Sequence, residues 1–293
     1  MGNNIYSVGP HPQTSIFMKD ILIITVNYRN TSVTEDFIHS LEKLHEFQRV
    51  QLVIVDSAST NATKEELETL LHNSSLHTQI IYSDQNTYYW GGVALAIKHL
   101  KLEFSIGPKW LIACNNDIVF SQRGFIKQLL TLDPATNPVI APTIKSLLSG
   151  KNLNPYMAKP IARLEKIYLS LFYIHHISGY CMHIIRKYTK LIYRFIFKSK
   201  VNSAYKIYAP HGSFMIFSNH YFTRGGWIDD NFKMYGEEAT VAEIAQRNNI
   251  PILFNPALEV LHNEHSTTAN HSWKKWFTDS KEAYKYYKKA YLT

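Results

Sequence analysis

The 293-residue sequence has few cysteines, no long apolar run and no common phosphate-binding loop. Its two cysteines, Cys114 and Cys181, lie in apolar or aromatic stretches. They give no support to a disulfide framework or a structural zinc site, and a reducing compartment is the natural reading. No apolar run reaches the roughly 18 residues of a membrane-spanning helix. The absence of GxGxxG after the first predicted strand, and of GxxxxGK[ST] anywhere, disfavours a Rossmann dehydrogenase and a P-loop nucleotidase.

The first residues, 1–19, do not read as a targeting segment. They have no basic start followed by an apolar stretch, so we interpret them as a leader and not as a secretory signal. The whole chain is 45% hydrophobic and 18% charged, which is enough apolar material for a sizeable core. We therefore expect a soluble or membrane-peripheral protein in the cytoplasm or at the inner face of the cytoplasmic membrane.

Basic residues are concentrated in one segment, 151–206. It holds eleven Lys or Arg and a single acid, Glu165, whereas the whole chain has a net charge of +8. The segment is therefore net +10 and the remainder net −2. Its bulky aliphatic and aromatic residues, mixed with Lys and Arg, predict amphipathic helices. Two interpretations stay open: a surface that contacts anionic lipid, or a helical subdomain that packs on the core or in a homodimer.

Before residue 150, apolar β-branched runs alternate with helical patterns. This alternation predicts a parallel sheet covered by helices on both faces. Polar residues follow four successive predicted strands, at Asn27, Asp56, 84–86 and Asp117. Open sheets of this kind bind ligands at the carboxyl ends of their strands. The sequence therefore predicts a nucleotide-binding crevice at that edge.

Seven motifs in order resemble those of family 2 glycosyltransferases, especially the rhamnosyltransferase-like bacterial enzymes. They are TVNYRN, IVDSAST, DQNTYYWGG, NNDIVF, HGSFMIF, GGWIDDNFKMYGEE and ALEVLH. The resemblance implies the α/β GT-A fold, with a mixed, mostly parallel central sheet flanked by helices. It also implies a nucleotide-sugar-binding half at 20–149 and an acceptor-binding and catalytic half at 207–268. The residue pattern adds a basic helical insert at 150–206 and a C-terminal basic aromatic helix at 269–293.

The same resemblance implies an inverting glycosyltransferase. Such an enzyme moves a sugar from a nucleoside-diphosphate sugar, here a UDP- or dTDP-sugar, to a hydroxyl of a glycan or lipid-linked acceptor. Relatives of this kind act in bacterial surface polysaccharide synthesis. We expect the donor, the acceptor and a divalent cation as partners, and no nucleic acid.

The donor-binding residues that the resemblance implies lie in four of the motifs. They are Thr25, Asn27, Asp56, Asn86, Gly91, Gly92, Asn115 and Asn116. Asp56 resembles the aspartate that hydrogen-bonds the nucleobase, although an aspartate that caps a turn would give the same pattern. The two glycines would let the backbone approach the ligand. Tyr88 and Tyr89 replace the smaller residues that are common in relatives.

Metal binding is expected at Asp117, with His262 as a second contact. NNDIVF resembles the DXD element of the family in an asparagine-containing form. One carboxylate suffices for Mg²⁺ or Mn²⁺ when phosphate oxygens complete the coordination, so we expect weak metal binding without nucleotide. His262 resembles the histidine that ends the last core strand in relatives, and a plain surface histidine is the alternative. Two histidines three residues apart without a cysteine make a poor zinc signature.

The catalytic base that the resemblance implies is Glu238, in the GEE motif at 236–238. A carboxylate there can take the acceptor proton, and its neighbour Glu237 would raise its proton affinity. The alternative is a pair of solvated acids that stabilise a helix N-terminus. The implied acceptor-binding residues are Glu237, Trp227, Asp229, Gly212 and Ser213.

Two other functions compete with sugar transfer. A nucleotidyltransferase shares the sheet and a metal aspartate but usually opens with a glycine-rich basic loop, which TVNYRNTS lacks. A non-enzymatic binder of nucleic acid or polyanions would explain the basic segment. It would leave Asp117, Glu238 and the ordered polar clusters unexplained.

Overall fold

A mixed β-sheet forms the centre of the protein in the computed structural model, which describes residues 5–8, 19–196, 203–264 and 272–292. Within these residues the sheet has ten strands. They are β1 (Ile5–Val8), β2 (Ile21–Asn27), β3 (Val50–Ser57), β4 (His77–Ser83), β5 (Trp110–Cys114), β6 (Ile118–Val119), β7 (Val139–Ser146), β8 (Tyr205–Ile207), β9 (Phe214–Ser218) and β10 (Ile252–His262).

Helices cover both faces of this sheet. Those in the described residues are α1 (Thr31–Glu42), α2 (Asn61–His72), α3 (Tyr88–His99), α4 (Phe125–Leu130), α5 (Arg163–Phe172), α6 (His176–Ile196), α7 (Asn219–Thr223), α8 (Glu237–Arg247) and α9 (Trp273–Tyr291). A short 3₁₀ turn, Phe47–Arg49, precedes β3. None of the described helices is long and apolar enough to cross a bilayer.

The order of strands separates a parallel half from a mixed half. The order is β1-β4-β3-β2-β5-β9-β7-β10-β6, and β8 pairs with the start of β10. Strands β4, β3, β2 and β5 run parallel. Strand β9 is antiparallel to both of its neighbours, and β7 and β10 run parallel to each other. The predicted mixed α/β architecture is therefore confirmed.

Side chains of the central strands alternate between two apolar layers. Ile21 and Ile23 pack in the layer that contains the buried residues of α1 and α2. Leu22 and Ile24 pack in the layer that contains those of α3 and α8. All four are 0–1% exposed, which explains why the sequence of β2 is a continuous apolar run without polar alternation. Burying one such side chain stabilises the fold by about 1.5–3 kcal/mol.

Register brings the polar ends of distant strands to one edge of the sheet. Asn27 at the end of β2 lies opposite Asp56 in β3. Cys114 at the end of β5 lies opposite Phe214, so the residues just before β9 share this edge. His262 at the end of β10 lies opposite Ser146. Segments separated by more than 200 residues therefore meet at one edge.

One sequence expectation differs from the structure. Part of the predicted leader, Ile5–Val8, is a strand that pairs antiparallel with β4 and thereby covers what would be an open sheet edge. Strand β10 pairs with β7 along its length, with an irregularity between Asn255 and Glu259. The rest of the leader, the end of the insert at 197–202 and residues 265–271 lie outside the described residues.

The helices of the basic insert are attached to the C-terminal helix. Phe172 of α5 is 5% exposed, and its ring lies 5.9 Å from that of Phe277 and 6.3 Å from that of Trp273 in α9. A Cβ added to Gly179 in α6 would come within 2.7 Å of the Phe277 ring. Close packing of this kind fixes one face of the α5–α6 pair on α9.

Candidate active site

A chain of hydrogen bonds joins the ends of β2 and β3 to the loop after β5. The Asn27 amide donates to Asp56 Oδ1 at 2.8 Å, and Ser59 Oγ donates to the same oxygen at 2.7 Å. Thr34 Oγ1 donates to Asn27 Oδ1 at 2.9 Å, and the Asn116 amide donates to Thr34 Oγ1 at 3.0 Å. Asn27, Asp56 and Asn116, all predicted to bind the donor, therefore belong to one network.

Asp56 and Thr25 are fully buried at this position. Burial raises the pKa of Asp56, and its hydrogen bonds to Asn27 and Ser59 partly oppose that shift. Asp56 Oδ2 and Thr25 Oγ1 have no hydrogen-bond partner in the part of the chain that the structure describes. A buried polar atom without a partner is costly, so these two oxygens, one in the network and one on β2 two residues before Asn27, have unused hydrogen-bonding capacity.

The predicted metal residues, Asp117 and His262, lie side by side. His262 Nε2 is 3.0 Å from Asp117 Oδ1, and the two side chains are 9% and 10% exposed. The Asn263 N–H donates to the Asp117 carbonyl at 2.9 Å, which holds the end of β10 against the loop after β5. The structure thus brings together two residues that are 145 positions apart in the sequence.

Their donor set is small. Among the described residues there is no group of three or more His, Cys, Asp or Glu side chains that could hold a metal ion. One carboxylate and one imidazole fit a divalent cation that takes its remaining ligands from phosphate oxygens and water. They do not fit a closed structural site with four protein ligands.

His211 lies beside this pair and was not among the residues predicted from the sequence. Its ring centroid is 6.3 Å from that of His262. Its Nδ1 accepts the Ser213 N–H at 3.2 Å and lies 3.0 Å from Ser213 Oγ. Because Nδ1 accepts a backbone N–H, the neutral ring carries its proton on Nε2. Burial, aided by His262, lowers the pKa of His211 to about 4, so the ring is neutral near pH 7.

Glu237 and Glu238 occupy the first turn of α8, on the other side of His211. Glu238 Oε1 accepts the Gly212 N–H at 3.1 Å, and Glu237 Oε2 accepts the Gly236 N–H at 3.0 Å. Burial raises the pKa of both carboxyls, and the charge of Glu237 raises that of Glu238 further. Both side chains are only partly exposed, and Glu238 is bonded outside its own helix, which favours the catalytic prediction over a pair of solvated helix-cap acids.

Gly212 leaves room for these carboxyls. A Cβ at this position would lie 2.8 Å from Glu238 Oε1 and 2.7 Å from Glu237 Cγ. Gly212 and Ser213 are both buried. In this structure Gly212 bonds Glu238 and Ser213 bonds His211. An acceptor would therefore meet the Glu238 and His211 side chains in place of Gly212 and Ser213 themselves.

Asp117, His262, His211 and Glu238 form one group at the polar edge of the sheet, called the cleft below. The buried hydroxyl of Tyr89 has no hydrogen-bond partner among the described residues. Burial raises the pKa of Tyr89, and so do the charges of Cys114, Glu237, Glu238 and Asp117. Charges from the two halves of the chain thus act on one hydroxyl. The contacts given above also connect the Asp117 and Glu238 carboxylates. They run from Asp117 through His262, His211 and Gly212 to Glu238.

The basic insert adds Tyr156 to the cleft, a second residue that the sequence did not single out. The Asn154 side chain accepts the His211 N–H at 2.8 Å and donates to the Pro142 carbonyl at 2.8 Å. This anchor places the Tyr156 ring 6.0 Å from the His211 ring. The charge of Glu238 is the largest cause of a raised pKa at Tyr156, whose side chain is 53% exposed. Tyr156 is therefore an accessible aromatic surface next to Glu238.

A cavity of about 550 Å³ opens between α3, the loop at 230–233 and α9. Asn86, Tyr88 and Gly91 line it. Asn86 Oδ1 accepts the Tyr88 N–H at 2.9 Å, and Tyr88 has a φ of 55°, in the left-handed region that favours glycine. A Tyr in this conformation is strained, and its side chain forms part of the wall of the cavity.

Gly92 has a different role from Gly91. A Cβ on Gly92 would lie 2.5 Å from Val26 Cγ2, whereas one on Gly91 would meet no atom within 4 Å. The absence of a side chain at Gly92 therefore allows α3 to pack closely on β2. This packing accounts for Gly92 without a ligand, whereas Gly91 is open to the cavity.

Among the predicted acceptor residues, Trp227 is 44% exposed and Asp229 is 3% exposed. The Asp229 carboxylate accepts hydrogen bonds from Tyr286 Oη at 2.7 Å, from Tyr291 Oη and from the Asn231 amide at 2.7 Å. Both carboxylate oxygens are therefore occupied by the protein. Asp229 fastens α9 to the core in this structure, and its expected role in acceptor binding stays a prediction.

The family model described as glycosyl transferase family 2 matches residues 20–191. This match covers more than half of the chain, so the chain belongs to glycosyl transferase family 2. The low-salt glycan biosynthesis hexosyltransferase of Haloferax volcanii is 23% identical over 248 residues, which are 84% of this chain and 68% of that protein.

Solved structures show the same fold. A mannosyltransferase from Pyrobaculum calidifontis, in complex with GDP-Man and Mn²⁺, aligns with a TM-score of 0.53 at 11% identity over 89% of this chain. GalNAc-T7 with UDP, GalNAc and Mn²⁺ aligns with a TM-score of 0.56 at 13% identity over 94% of this chain. This chain spans 60% and 50% of the lengths of those two chains. The fold is GT-A, as the sequence motifs implied.

Proposed function

We propose that the protein transfers a sugar from a nucleoside-diphosphate sugar to a hydroxyl of a glycan or lipid-linked acceptor, with inversion at the anomeric carbon. One observation carries this proposal. Asp117 from the first half of the chain lies against His262 from the second half, and contacts through His211 and Gly212 connect this pair to Glu238 at the polar edge of a GT-A sheet.

For the donor, we propose that the network of Asn27, Thr34 and Asp56 binds the nucleoside. Asp56 Oδ2 retains acceptor capacity that none of the described residues uses, which suits an N–H of a nucleobase. Asn115 and Asn116, in the loop before Asp117, stand between this network and the metal residues, where the ribose and diphosphate would lie. The relatives whose structures contain GDP-Man or UDP make a nucleotide sugar the natural donor class.

Asp117 and His262 would hold a divalent cation, Mg²⁺ or Mn²⁺. When bound, such a cation neutralises the charge that develops on the leaving diphosphate. With one carboxylate and one imidazole on the protein side, affinity for the cation depends on the diphosphate. We therefore expect metal and nucleotide to bind together.

For the chemical step, we propose that Glu238 is the base. Its carboxylate accepts the proton of the acceptor hydroxyl as the oxygen attacks C1 of the sugar and the bond to the diphosphate breaks. Burial and Glu237 raise the proton affinity of Glu238, which makes it a stronger base than a solvated carboxylate. The Gly212 N–H fixes the orientation of the reacting group.

For the acceptor, we propose that Tyr156, Trp227 and His211 form its surface near Glu238. Tyr156 and Trp227 are exposed aromatic side chains suited to the face of a sugar ring, and His211 offers an Nε2–H donor. An acceptor in bacterial surface polysaccharide synthesis, either a glycan or a lipid-linked glycan, fits this class of site.

The test is hydrolysis and transfer with a panel of UDP-, dTDP- and GDP-sugars in the presence of Mn²⁺ or Mg²⁺. At least one donor should be hydrolysed, and Asp117→Asn and Glu238→Gln should each lower the rate by about 10²–10⁴-fold. Asp133→Asn is the matched control, because Asp133 is exposed and lies before β7, at the opposite edge of the sheet. Full transfer by Glu238→Gln at saturating donor would remove Glu238 from the mechanism.

Thermal shift separates this function from its competitors. A nucleoside diphosphate with Mn²⁺ should stabilise the protein, and an oligonucleotide should not. Stabilisation by oligonucleotide alone would favour the polyanion binder. Release of pyrophosphate from a nucleoside triphosphate and a sugar phosphate would favour the nucleotidyltransferase.

A further inference from the structure

The helix pair α5–α6 presents a row of large apolar side chains to solvent. The row, called the insert face below, consists of Leu164, Ile167, Leu171, Ile174, Ile177, Tyr180, Ile184 and Ile185. These residues are between 36% and 81% exposed. Monomeric proteins rarely expose so many large apolar residues on one contiguous element, so a face of this kind marks a binding surface.

The spacing of the insert face is that of one side of each helix. In α5, Leu164, Ile167 and Leu171 recur at intervals of three and four residues, which places them on one side. The other side of the pair is already occupied, because Phe172 and Gly179 pack on α9. Tyr180, at the edge of the insert face, also contacts α9, because its ring lies 5.2 Å from that of Trp273. The other residues of the insert face are largely exposed and form the part of it that is open to a partner.

Charge indicates what kind of partner fits. The segment 151–206 is net +10, and its single acid, Glu165, is paired with Arg186. Arg163 and Lys166, next to the apolar row in α5, are exposed. A second copy of this chain on the insert face would bring two segments of +10 together. An anionic partner with an apolar interior would satisfy both the charges and the apolar side chains.

We propose that the insert face docks on the surface of a bilayer containing anionic lipids, with the apolar row in the acyl boundary and the basic side chains at the headgroups. The helices would lie on the membrane and not cross it, because neither is long and apolar enough to span one. Nucleic acid has the charge that this surface attracts but no acyl region to bury the apolar row.

The position of Tyr156 connects this surface to the cleft. Tyr156 lies seven residues before the start of α5, and seven residues span at most about 25 Å. The same insert that carries the apolar row thus places an aromatic ring 6.0 Å from that of His211, and the Gly212 N–H next to His211 in the chain bonds Glu238. Docking would hold the cleft near the bilayer surface, where the hydroxyl of a lipid-linked acceptor is presented. This part of the inference rests on the proposed function.

The experiment is co-sedimentation of the full chain with vesicles of phosphatidylcholine alone and of an equal mixture of phosphatidylcholine and phosphatidylglycerol. The protein should partition to the mixed vesicles at low salt, and raised salt should release part of it. The variant with Leu164→Ser, Ile167→Ser and Leu171→Ser should bind about tenfold or more weakly. Ile106→Ser is the matched control, because Ile106 is 82% exposed in the loop before β5 and should leave binding unchanged.

Three results would overturn the proposal. They are no partition to the mixed vesicles, an equal loss of binding in Ile106→Ser, and a wild-type dimer on light scattering that the triple serine variant abolishes. Preferential binding of an oligonucleotide that the triple variant weakens would also reject the bilayer as partner. Far-UV circular dichroism and thermal melting establish that the triple variant is folded.

Donor hydrolysis in solution keeps this inference separate from the proposed function. The triple variant should hydrolyse the donor at the wild-type rate, because its three positions lie outside the cleft. If no sugar nucleotide is hydrolysed by any variant, the proposed function fails, and the vesicle result still decides the docking surface on its own.

Discussion

Replacing Gly212 by alanine tests how closely the catalytic carboxyl is held. A Cβ at this position would lie 2.8 Å from Glu238 Oε1, and ordinary contact begins near 3.4 Å, so the carboxyl must retreat by about 0.6 Å. A misplacement of 1 Å in an active site can cost about 10²-fold in rate. We therefore expect Gly212→Ala to lower kcat by roughly 10- to 100-fold, with a smaller effect on donor KM.

The same substitution should also shift the pH dependence. The Gly212 N–H stabilises the ionised form of Glu238, which lowers its pKa. If the alanine Cβ weakens this hydrogen bond, the pKa of Glu238 rises further, and the ascending limb of the pH–rate profile moves to higher pH.

The assay is initial-rate transfer or donor hydrolysis across pH 5 to 9, on protein shown to be folded by thermal melting. Gly124→Ala is the control, because a Cβ there would meet no atom within 4 Å. A Gly212→Ala variant with kcat within twofold of wild type and an unchanged pH profile would refute the role assigned to this contact.

Four further predictions concern Glu238, Asp229 and Tyr88. Because burial and Glu237 raise the pKa of Glu238 to about 8, transfer should rise as pH increases toward 8. Because the pKa of Glu238 is higher in the folded than in the unfolded protein, the folded protein loses stability as the pH rises from the ordinary pKa of a glutamate to about 8. Glu238→Gln removes this loss and should melt higher than wild type at pH 8 but not at pH 4. Asp229→Asn should lower the free energy of unfolding by about 1–3 kcal/mol in urea titrations while leaving kcat within a few-fold, because it weakens the hydrogen bonds that hold α9. Tyr88→Gly should raise the unfolding free energy by roughly 1 kcal/mol because it relieves left-handed backbone, and a loss of stability would contradict that reading.

Local patterns predicted the parallel half of the fold well. The apolar run of β2 and the polar residue at its end are both properties of adjacent residues, and register then brought Asn27 and Asp56 together. The alternative interpretation of the GEE motif placed it at a helix N-terminus, and α8 begins at Glu237. Family resemblance added the order of motifs, which made the GT-A fold predictable from sequence.

Contacts between distant segments were not predictable in the same way. His211 directly precedes Gly212, which was predicted to bind the acceptor. That adjacency was the signal in the sequence that could have pointed to His211. Tyr156 reaches the cleft through Asn154, whose bond to the His211 N–H spans 57 positions. Asp229 lies in a motif that predicts acceptor binding. The two tyrosines of α9 that donate hydrogen bonds to its carboxylate come 57 and 62 residues later, so the motif alone could not show these bonds.

The course of β9 has a consequence for how the molecule holds together. This strand belongs to the second half of the sequence, yet it lies between β5 and β7 from the first half and pairs with both. Cutting the chain in the basic insert would therefore leave an N-terminal fragment with a gap in the middle of its sheet. Neither fragment should fold alone, and two fragments expressed together should complement each other only by rebuilding one shared sheet.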